Sequence, residues 1–329
     1  MMKRRQFITL LGGALTAWPV TARAQQSGQP KRVGVLAGTS EAEFRERYEQ
    51  FRGGLAQLGW TEPRNIRIDY RCTDNKRELQ EAYARELVGF APNVLLAEPG
   101  PIAEALQRLT RTIPIVFVTS TDPVQAGYVQ SFAHPGGNMT GFTGFEASVS
   151  SKWVQLLKDV AANVSRVAVL RLESFARARR DFVTIEAAAH SLGVTPVDAL
   201  VKDNPAEITR VIDAFAREPN GGLIIPPSNT FYKHRALIVA LADRHHLPAV
   251  YNDRLFADAG GLMSYGADRS DILKRAAEYV DRILRGAKPG DLPVQAPTKY
   301  DLVLNLKTAK ALGIAISPSL LATAVEVIE

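Results

Sequence analysis

From residue 31 to residue 251 the chain alternates short β-rich apolar runs with helical patterns, and this alternation restricts its fold more than any other feature. Val33-Gly34-Val35-Leu36-Ala37 reads as a buried strand. In the helix that follows, Phe44, Tyr48, Phe51, Leu55 and Leu58 recur at steps of four and three and share one face. Gly59 ends it. Strands are predicted at 66–70, 94–97 and 115–118, with helices marked by Leu79, Tyr83, Leu87 and Phe90 and by Ile102, Leu106 and Leu109. Pro135-Gly136-Gly137-Asn138 then breaks the pattern and reads as the approach to a crossing between lobes. The alternation restarts with a helix carrying Trp153, Leu157 and Val160. Strands at 167–170, 194–200, 223–225 and 249–251 are separated by three further helices. Strands spaced by helices in this way imply parallel sheets with helices on both faces. Two such arrays predict an α/β protein of two doubly wound parallel-sheet lobes. The tail adds a strand-like run at 260–265, a helix with the stripe Ile272, Ala276, Tyr279, Val280 and Ile283, a late strand at 302–304 and a short helix at 308–312. These pieces would complete both lobes and so require further crossings.

The first residues are organised differently. Lys3, Arg4 and Arg5 precede an apolar run from Phe7 to Val20, and Ala22-Arg23-Ala24 supplies a small-residue exit. This is the grammar of a secretory signal, residues 1–24, cut after Ala24. The run is about 14 residues, against the roughly 20 that a membrane-crossing helix needs. An uncleaved anchor is the alternative, and the Ala-x-Ala exit argues for removal. Arg4-Arg5-Gln6-Phe7-Ile8 also looks like a twin-arginine signal. The remaining 305 residues suit two lobes. Four of the six net positive charges sit in the leader, so the mature chain is near +2 and gives no reason to expect nucleic acid as a partner. With one cysteine, Cys72, the exported chain has no internal disulfide and no lipid-attachment cysteine at the cleavage site. No later stretch approaches membrane-spanning length, so the mature protein is expected to be soluble and not membrane-inserted.

Ligands of open parallel sheets bind beyond the carboxyl ends of the strands. Those positions here are Gly38-Thr39-Ser40, Glu98-Pro99-Gly100 and Thr119-Ser120-Thr121-Asp122 in the first array. In the second they are Glu173-Ser174-Phe175, Pro227-Ser228-Asn229 and Tyr251-Asn252-Asp253, with Tyr265 after the tail strand. Hydroxyls and free backbone N–H groups take a carboxylate, acids take an ammonium, and rings stack on an apolar body. The mixture suits a small zwitterionic or aromatic molecule. Ser120, Asp122, Ser228 and Tyr251 are expected to face the cleft. The competing reading is that the small polar residues cap the helices that follow.

Signals for catalysis are poor. There is no Gly-x-Gly-x-x-Gly after a strand, no phosphate loop and no Gly-x-Ser-x-Gly elbow. His245-His246 is the only adjacent histidine pair, and neighbours on a helix point about 100° apart, which makes a weak metal site. Cys72 reads as a small buried apolar residue and not as a nucleophile. No catalytic residue, metal or cofactor is assigned.

From about Val33 to Glu329 the chain resembles the substrate-binding proteins of bacterial ABC importers, in the group that includes binders of aromatic amino acids. The resemblance rests on Ile113-Pro114-Ile115-Val116 leading to Asp122-Pro123-Val124, and on His134-Pro135-Gly136-Gly137-Asn138-Met139-Thr140-Gly141. It also rests on Gly260-Gly261-Leu262-Met263-Ser264-Tyr265-Gly266, Asp291-Leu292-Pro293-Val294 and the run from Asn305 to Gly313. It implies a type I periplasmic binding fold whose lobes are joined by three crossings, near Gly141, Gly266 and Val294. The expected lobes are 31–141 with 267–293, and 142–266 with 294–329. It further implies a periplasmic, monomeric receptor that closes over a small-molecule ligand and delivers it to an ABC permease in the inner membrane. The Glu98-Pro99-Gly100 turn and the arginine-rich segment at 175–180 depart from the family pattern, so aromatic specificity does not carry over. Glu98 could take an amine there, and Arg177 or Arg179 a carboxylate. A module sensing for a membrane signalling partner, and an exported enzyme, are the other two readings.

Overall fold

The structure is a computed structural model that describes residues 29–119, 122–144, 147–173 and 176–329. The first sheet contains β1 (Lys31–Ala37), β2 (Ile66–Cys72), β3 (Val94–Glu98), β4 (Ile115–Thr119) and β5 (Met139–Thr143). All five strands are parallel, in the order β2-β1-β3-β4-β5. Between them run α1 (Glu41–Gln57), α2 (Arg77–Gly89) and α3 (Gly100–Leu109). Side chains alternate across a strand, and β1 shows the result. Val33, Val35 and Ala37 pack with Phe51 and Leu55 of α1, while Leu36 packs on the other face with Leu87 of α2 and Ile102 and Leu106 of α3.

The second sheet has seven strands, in the order β12-β11-β10-β9-β8-β6-β7. Its strands are β6 (Arg166–Leu172), β7 (Thr195–Val201), β8 (Gly221–Ile225), β9 (Ala249–Tyr251), β10 (Met263–Ala267), β11 (Tyr300–Asn305) and β12 (Glu326–Ile328). Only β10 and β11 pair antiparallel. Its helices are α4 (Ala147–Val160), α5 (Ala176–Ser191), α6 (Pro205–Phe215), α7 (Asn229–Lys233), α8 (Arg235–Arg244) and α9 (Arg254–Asp258). After α10 (Arg269–Leu284), which serves the first sheet, α11 (Leu306–Ala311) and α12 (Pro318–Thr323) complete the second lobe.

The chain leaves the first sheet between β5 and α4, returns to it between β10 and α10, and leaves again before β11. The return is fixed by the apolar stripe of α10. Ile272, Leu273, Ala276, Ala277 and Val280 join the core that contains Phe51 and Leu55. At roughly 1.5–3 kcal/mol for each large side chain removed from water, that stripe outweighs the loss of chain continuity. Trp60 Nε1 donates to Asp281 Oδ1 at 2.7 Å across the same packing. On its outgoing pass, Gln295 bridges to Phe142 of β5 before the chain reaches the second sheet.

The α/β architecture of two parallel-sheet lobes agrees with the sequence pattern. One difference is β5. Its five residues, all buried, follow the Pro-Gly-Gly-Asn cluster directly, where the pattern reads as a break. Gly141 permits this close pairing. Its φ is +152°, and a Cβ there would lie 2.0 Å from the Phe117 carbonyl oxygen of β4.

Candidate functional site

The carboxyl ends of the two sheets face each other across a cavity of about 210 Å³. The first lobe contributes Thr39 after β1, the Glu98–Pro101 turn after β3, and Val118 and Thr119 at the end of β4. The second contributes Trp153 from α4, Leu172 from β6, Ser228 and Asn229 after β8, Asn252 after β9 and Tyr300 at the start of β11. The crossings supply Gly144 and Gly266, and α10 adds Arg269, Ile272 and Leu273. The volume is below the roughly 300–1,000 Å³ of pockets for drug-sized ligands. The walls therefore suit a small solute.

Among the described residues, contacts at the rim and deeper in the cleft join the lobes. At the rim, Asn229 Nδ2 donates to Asn75 Oδ1 at 2.8 Å. Deeper in, Arg269 opens α10 and reaches both sides. Its Nε lies 2.9 Å from Asp253 Oδ2, its Nη2 donates to the Tyr232 hydroxyl at 2.9 Å, and its Nη1 lies 3.4 Å from Glu98 Oε1. Its guanidinium also stands 4.7 Å from the Tyr232 ring centre. Burial works against this charge, but Tyr232, Asp253 and Glu98 outweigh it, so the guanidinium is held more firmly charged than usual. Asp253 is itself fixed as the cap of α9, accepting from the Leu255 N–H at 3.0 Å. Gly266 is needed where β10 passes this network, because a Cβ there would fall 1.8 Å from the Asn252 carbonyl oxygen.

Trp153 has two duties. It is almost wholly buried, and its Nε1 donates to the Tyr265 carbonyl at 2.7 Å, tying α4 to β10. It also forms part of the cavity wall. Tyr300 reaches the cavity with its ring stacked on Tyr265, centroids 5.8 Å apart.

Of the strand-end residues, Thr39, Glu98, Gly100, Ser228 and Asn229 line the cavity together. Ser40 belongs to a neighbouring rim recess with Asn75 and Asn229, and its carbonyl also accepts from Phe44 to start α1. Gly38 builds the turn beneath, its N–H donating to the Glu98 carbonyl at 2.7 Å. Ser120, Ser174 and Phe175 lie outside the described residues, as do the side chains of Arg177 and Arg179.

Three placements differ from expectation. Tyr251 does not face the cleft. Its ring is fully buried in the second lobe, stacked 4.8 Å from Phe256, and burial pushes its hydroxyl pKa well up. Strand alternation sends Tyr251 into the core and leaves the next residue, Asn252, on the cavity. Asp122 caps a turn, its Oδ1 accepting from the Val124 and Gln125 N–H groups at 3.0 and 3.2 Å, and it is not on the cavity wall. Tyr265 supports Tyr300 from behind and is not itself on the wall.

The cavity also holds residues that strand ends alone do not single out: Trp153, Leu172, Tyr232, Arg269 and Tyr300. Elsewhere, His245 Nε2 lies 2.7 Å from Asp213, and no group of three or more metal-ligating side chains occurs among the described residues. Cys72 ends β2 half-buried, and burial pushes its thiol up to about 11, against a nucleophilic role.

Two α/β lobes, three passages between them and one cavity at facing strand ends define a two-lobed solute-binding protein of the type I periplasmic binding fold. The sequence pattern of the family described as ABC transporter substrate binding protein matches residues 32–328, and the chain belongs to that family. It is 22% identical over 326 residues to a tyrosine-binding protein of Clostridioides difficile, covering 95% of this chain and 93% of that one. The structure is similar to that of a conserved domain protein from Vibrio cholerae O1 biovar eltor, with a TM-score of 0.83, 28% identity and coverage of 90% and 99%. It is equally similar, TM-score 0.83 at 25% identity, to an ABC domain from Streptococcus pneumonia in complex with L-Trp, covering 91% of this chain and all of that one. The chain is a binding protein and not an enzyme. No helix among the described residues is long and apolar enough to cross a membrane.

Proposed function

We propose that this protein is the periplasmic receptor of an ABC importer and that it captures an amino acid in the cleft between its lobes. The observation that carries the reading is the cavity itself, walled by both lobes and sealed by side chains that cross from one to the other. A ligand bridging the walls stabilises the closed arrangement over an open one, because it gains contacts only when both walls are present. The tyrosine-binding relative and the tryptophan complex support an amino acid as the solute. The basic, apolar and Ala-x-Ala segments of residues 1–24 support export, by the twin-arginine route if Arg4-Arg5 is read. The family match supports a receptor that, as a monomer in this reading, hands its cargo to an inner-membrane permease. The lobes of this receptor are 31–141 with 267–293, and 142–266 with 294–329, and Thr39, Glu98, Gly100, Ser228 and Asn229 contact the ligand.

The test is a thermal-shift screen of the chain from residue 25 onward against the twenty amino acids, with native mass spectrometry of the purified protein. A rise in melting temperature with one amino acid class, or a retained amino acid mass, is expected. No shift with any of the twenty and no retained mass would sink the proposal.

A further inference from the structure

We infer that a second cavity, beside the cleft and walled by both lobes, binds a small organic ammonium ion through the Asp301 carboxylate and the Ser264 hydroxyl. The inference stands apart from the reading of the cleft as an amino acid site. This cavity holds about 290 Å³. Gly266, Ala267, Arg269 and Leu273 line it and the cleft alike, so the two spaces share the crossing from β10 to α10 as a wall. Gln50 of α1 lines it from the first lobe.

Strand alternation produces this space. Met263 of β10 and Leu302 and Leu304 of β11 belong to the core of the second lobe. Ser264, Asp301 and Val303 stand on the other face of the same strands and line the cavity. Opposite Asp301 in the ladder is Gly266, so β10 puts no side chain over the carboxylate. Ser264 is only 1% exposed. Its hydroxyl makes no hydrogen bond to any described residue. A buried hydroxyl left unpaired is costly, so it points to a partner that arrives from outside the chain.

The charged groups favour a cation. Asp301 has no hydrogen bond or ion pair with any described residue. Burial, then repulsion from Asp268, disfavours its ionised form, and Lys299 and Arg254 offset this only in part. An ammonium ion at that carboxylate supplies the missing opposite charge. The arginines of the wall are matched already. Arg254 pairs with Asp258 at 3.2 Å and with Glu326 at 2.8 Å, Arg269 pairs with Asp253 at 2.9 Å, and Arg235 donates to the Tyr232 carbonyl at 2.9 Å. A ligand carboxylate would have to displace one of these partners. Leu255, Leu273 and Val303 give an apolar body a place beside the charged end. A bare metal ion is disfavoured, since one carboxylate and one hydroxyl supply too few ligands.

The test is calorimetry of n-butylamine, benzylamine, n-butanol and butyrate on the chain from residue 25 onward. At least one amine is expected to bind at millimolar concentration or below, and the alcohol and the acid are not. Asp301→Asn should weaken that amine about tenfold or more, as loss of a charge-assisted hydrogen bond does, and Ser264→Ala about two- to tenfold. Ser228→Ala, in the cleft, should leave amine binding unchanged. Asp301→Asn should not lower the melting temperature at neutral pH, because it removes a charge that burial and Asp268 disfavour, so lost amine binding is not lost folding. If Ser264→Ala fails to fold, Asp301→Asn carries the test. Binding by neither amine, binding indifferent to Asp301→Asn, or binding lost with Ser228→Ala instead overturns the inference and leaves the amino acid receptor in place. Amine binding that depends on Asp301, with no response to any amino acid, upholds the inference and sinks the receptor reading.

Discussion

The two walls of the cleft are built from different materials. The first lobe presents turns: Gly38-Thr39 and Glu98–Pro101, tied together by the hydrogen bond from the Gly38 N–H to the Glu98 carbonyl. The second lobe presents large side chains, Trp153, Tyr232 and Tyr300, each anchored within its own lobe or at the crossing. Backbone turns are held by the sheet beneath them. Rings that form a wall are also part of the core behind it. Binding and stability are therefore separable in the first lobe and coupled in the second.

The largest test of this contrast is Trp153→Ala against Thr39→Ala. Removing the tryptophan should cost about 3–5 kcal/mol of stability in urea unfolding, as for other buried tryptophans, and abolish the ligand-induced shift. Thr39→Ala should stay within about 0.5 kcal/mol, as surface changes do, while still weakening the ligand. Equal stability losses would erase the distinction. Next comes Gly266→Ala at the crossing between the walls. The Cβ displaces the Asn252 carbonyl, so a cost of about 1–3 kcal/mol is expected in the same unfolding experiment, together with loss of affinity by calorimetry.

A smaller effect is expected at the rim. Asn75→Ala removes one neutral hydrogen bond between lobes, worth about 0.5–1.5 kcal/mol, so the ligand-free protein should expand in small-angle scattering with its melting temperature nearly unchanged. An unaltered scattering profile would mean that the rim contact does not hold the lobes together.

The smallest is a pH effect that separates the lobes. In the first, burial pushes the Asp69 carboxyl up, but hydrogen bonds from Arg32 and Arg67 outweigh it and hold the group below its ordinary range. Its stabilisation is present above the unfolded value of about 3.9 and is lost as pH falls through the lower folded value. In the second, burial, then repulsion from Asp268, raises the Asp301 carboxyl, so its contribution is favourable at low pH and is lost as pH rises through that higher value. Hydrogen exchange at pH 3 should show the first lobe opening before the second, and Asp69→Asn should make the first lobe open as readily at neutral pH as at pH 3.

The alternation of strands and helices was legible because each element obeys its own period, and α10 was legible as a stripe from Ile272 to Ile283, while its expected place with the first lobe came from the family resemblance and not from the stripe. Strand β5 was hidden because its burial is supplied by β4 and by residues near 292–295, far away in sequence. The strand-end rule found both turns of the first wall, where the site is made of backbone. It failed at Tyr251, because a three-residue strand gives no period from which to tell one face from the other. Trp153 was legible only as a core residue, since nothing in a sequence marks a buried ring that has one open side. Tyr232 and Arg269 act through each other across an interval of 37 residues, and only the folded chain brings them together.

The placement of α10 also sets the order in which the lobes can be finished. The core beneath α1 is closed by residues 269–284, and the Arg285 guanidinium reaches back to the Leu58 carbonyl at 3.0 Å, across 227 positions of sequence. A ribosome adding about 5–20 residues per second delivers that helix several seconds after the last strand of the first sheet. During this interval Phe51, Leu55 and Val116 lack their cover, while most of the second sheet can already assemble. The lobe that begins first is completed late, and the exposed face of its unfinished sheet is where a chaperone would be expected to bind the nascent chain.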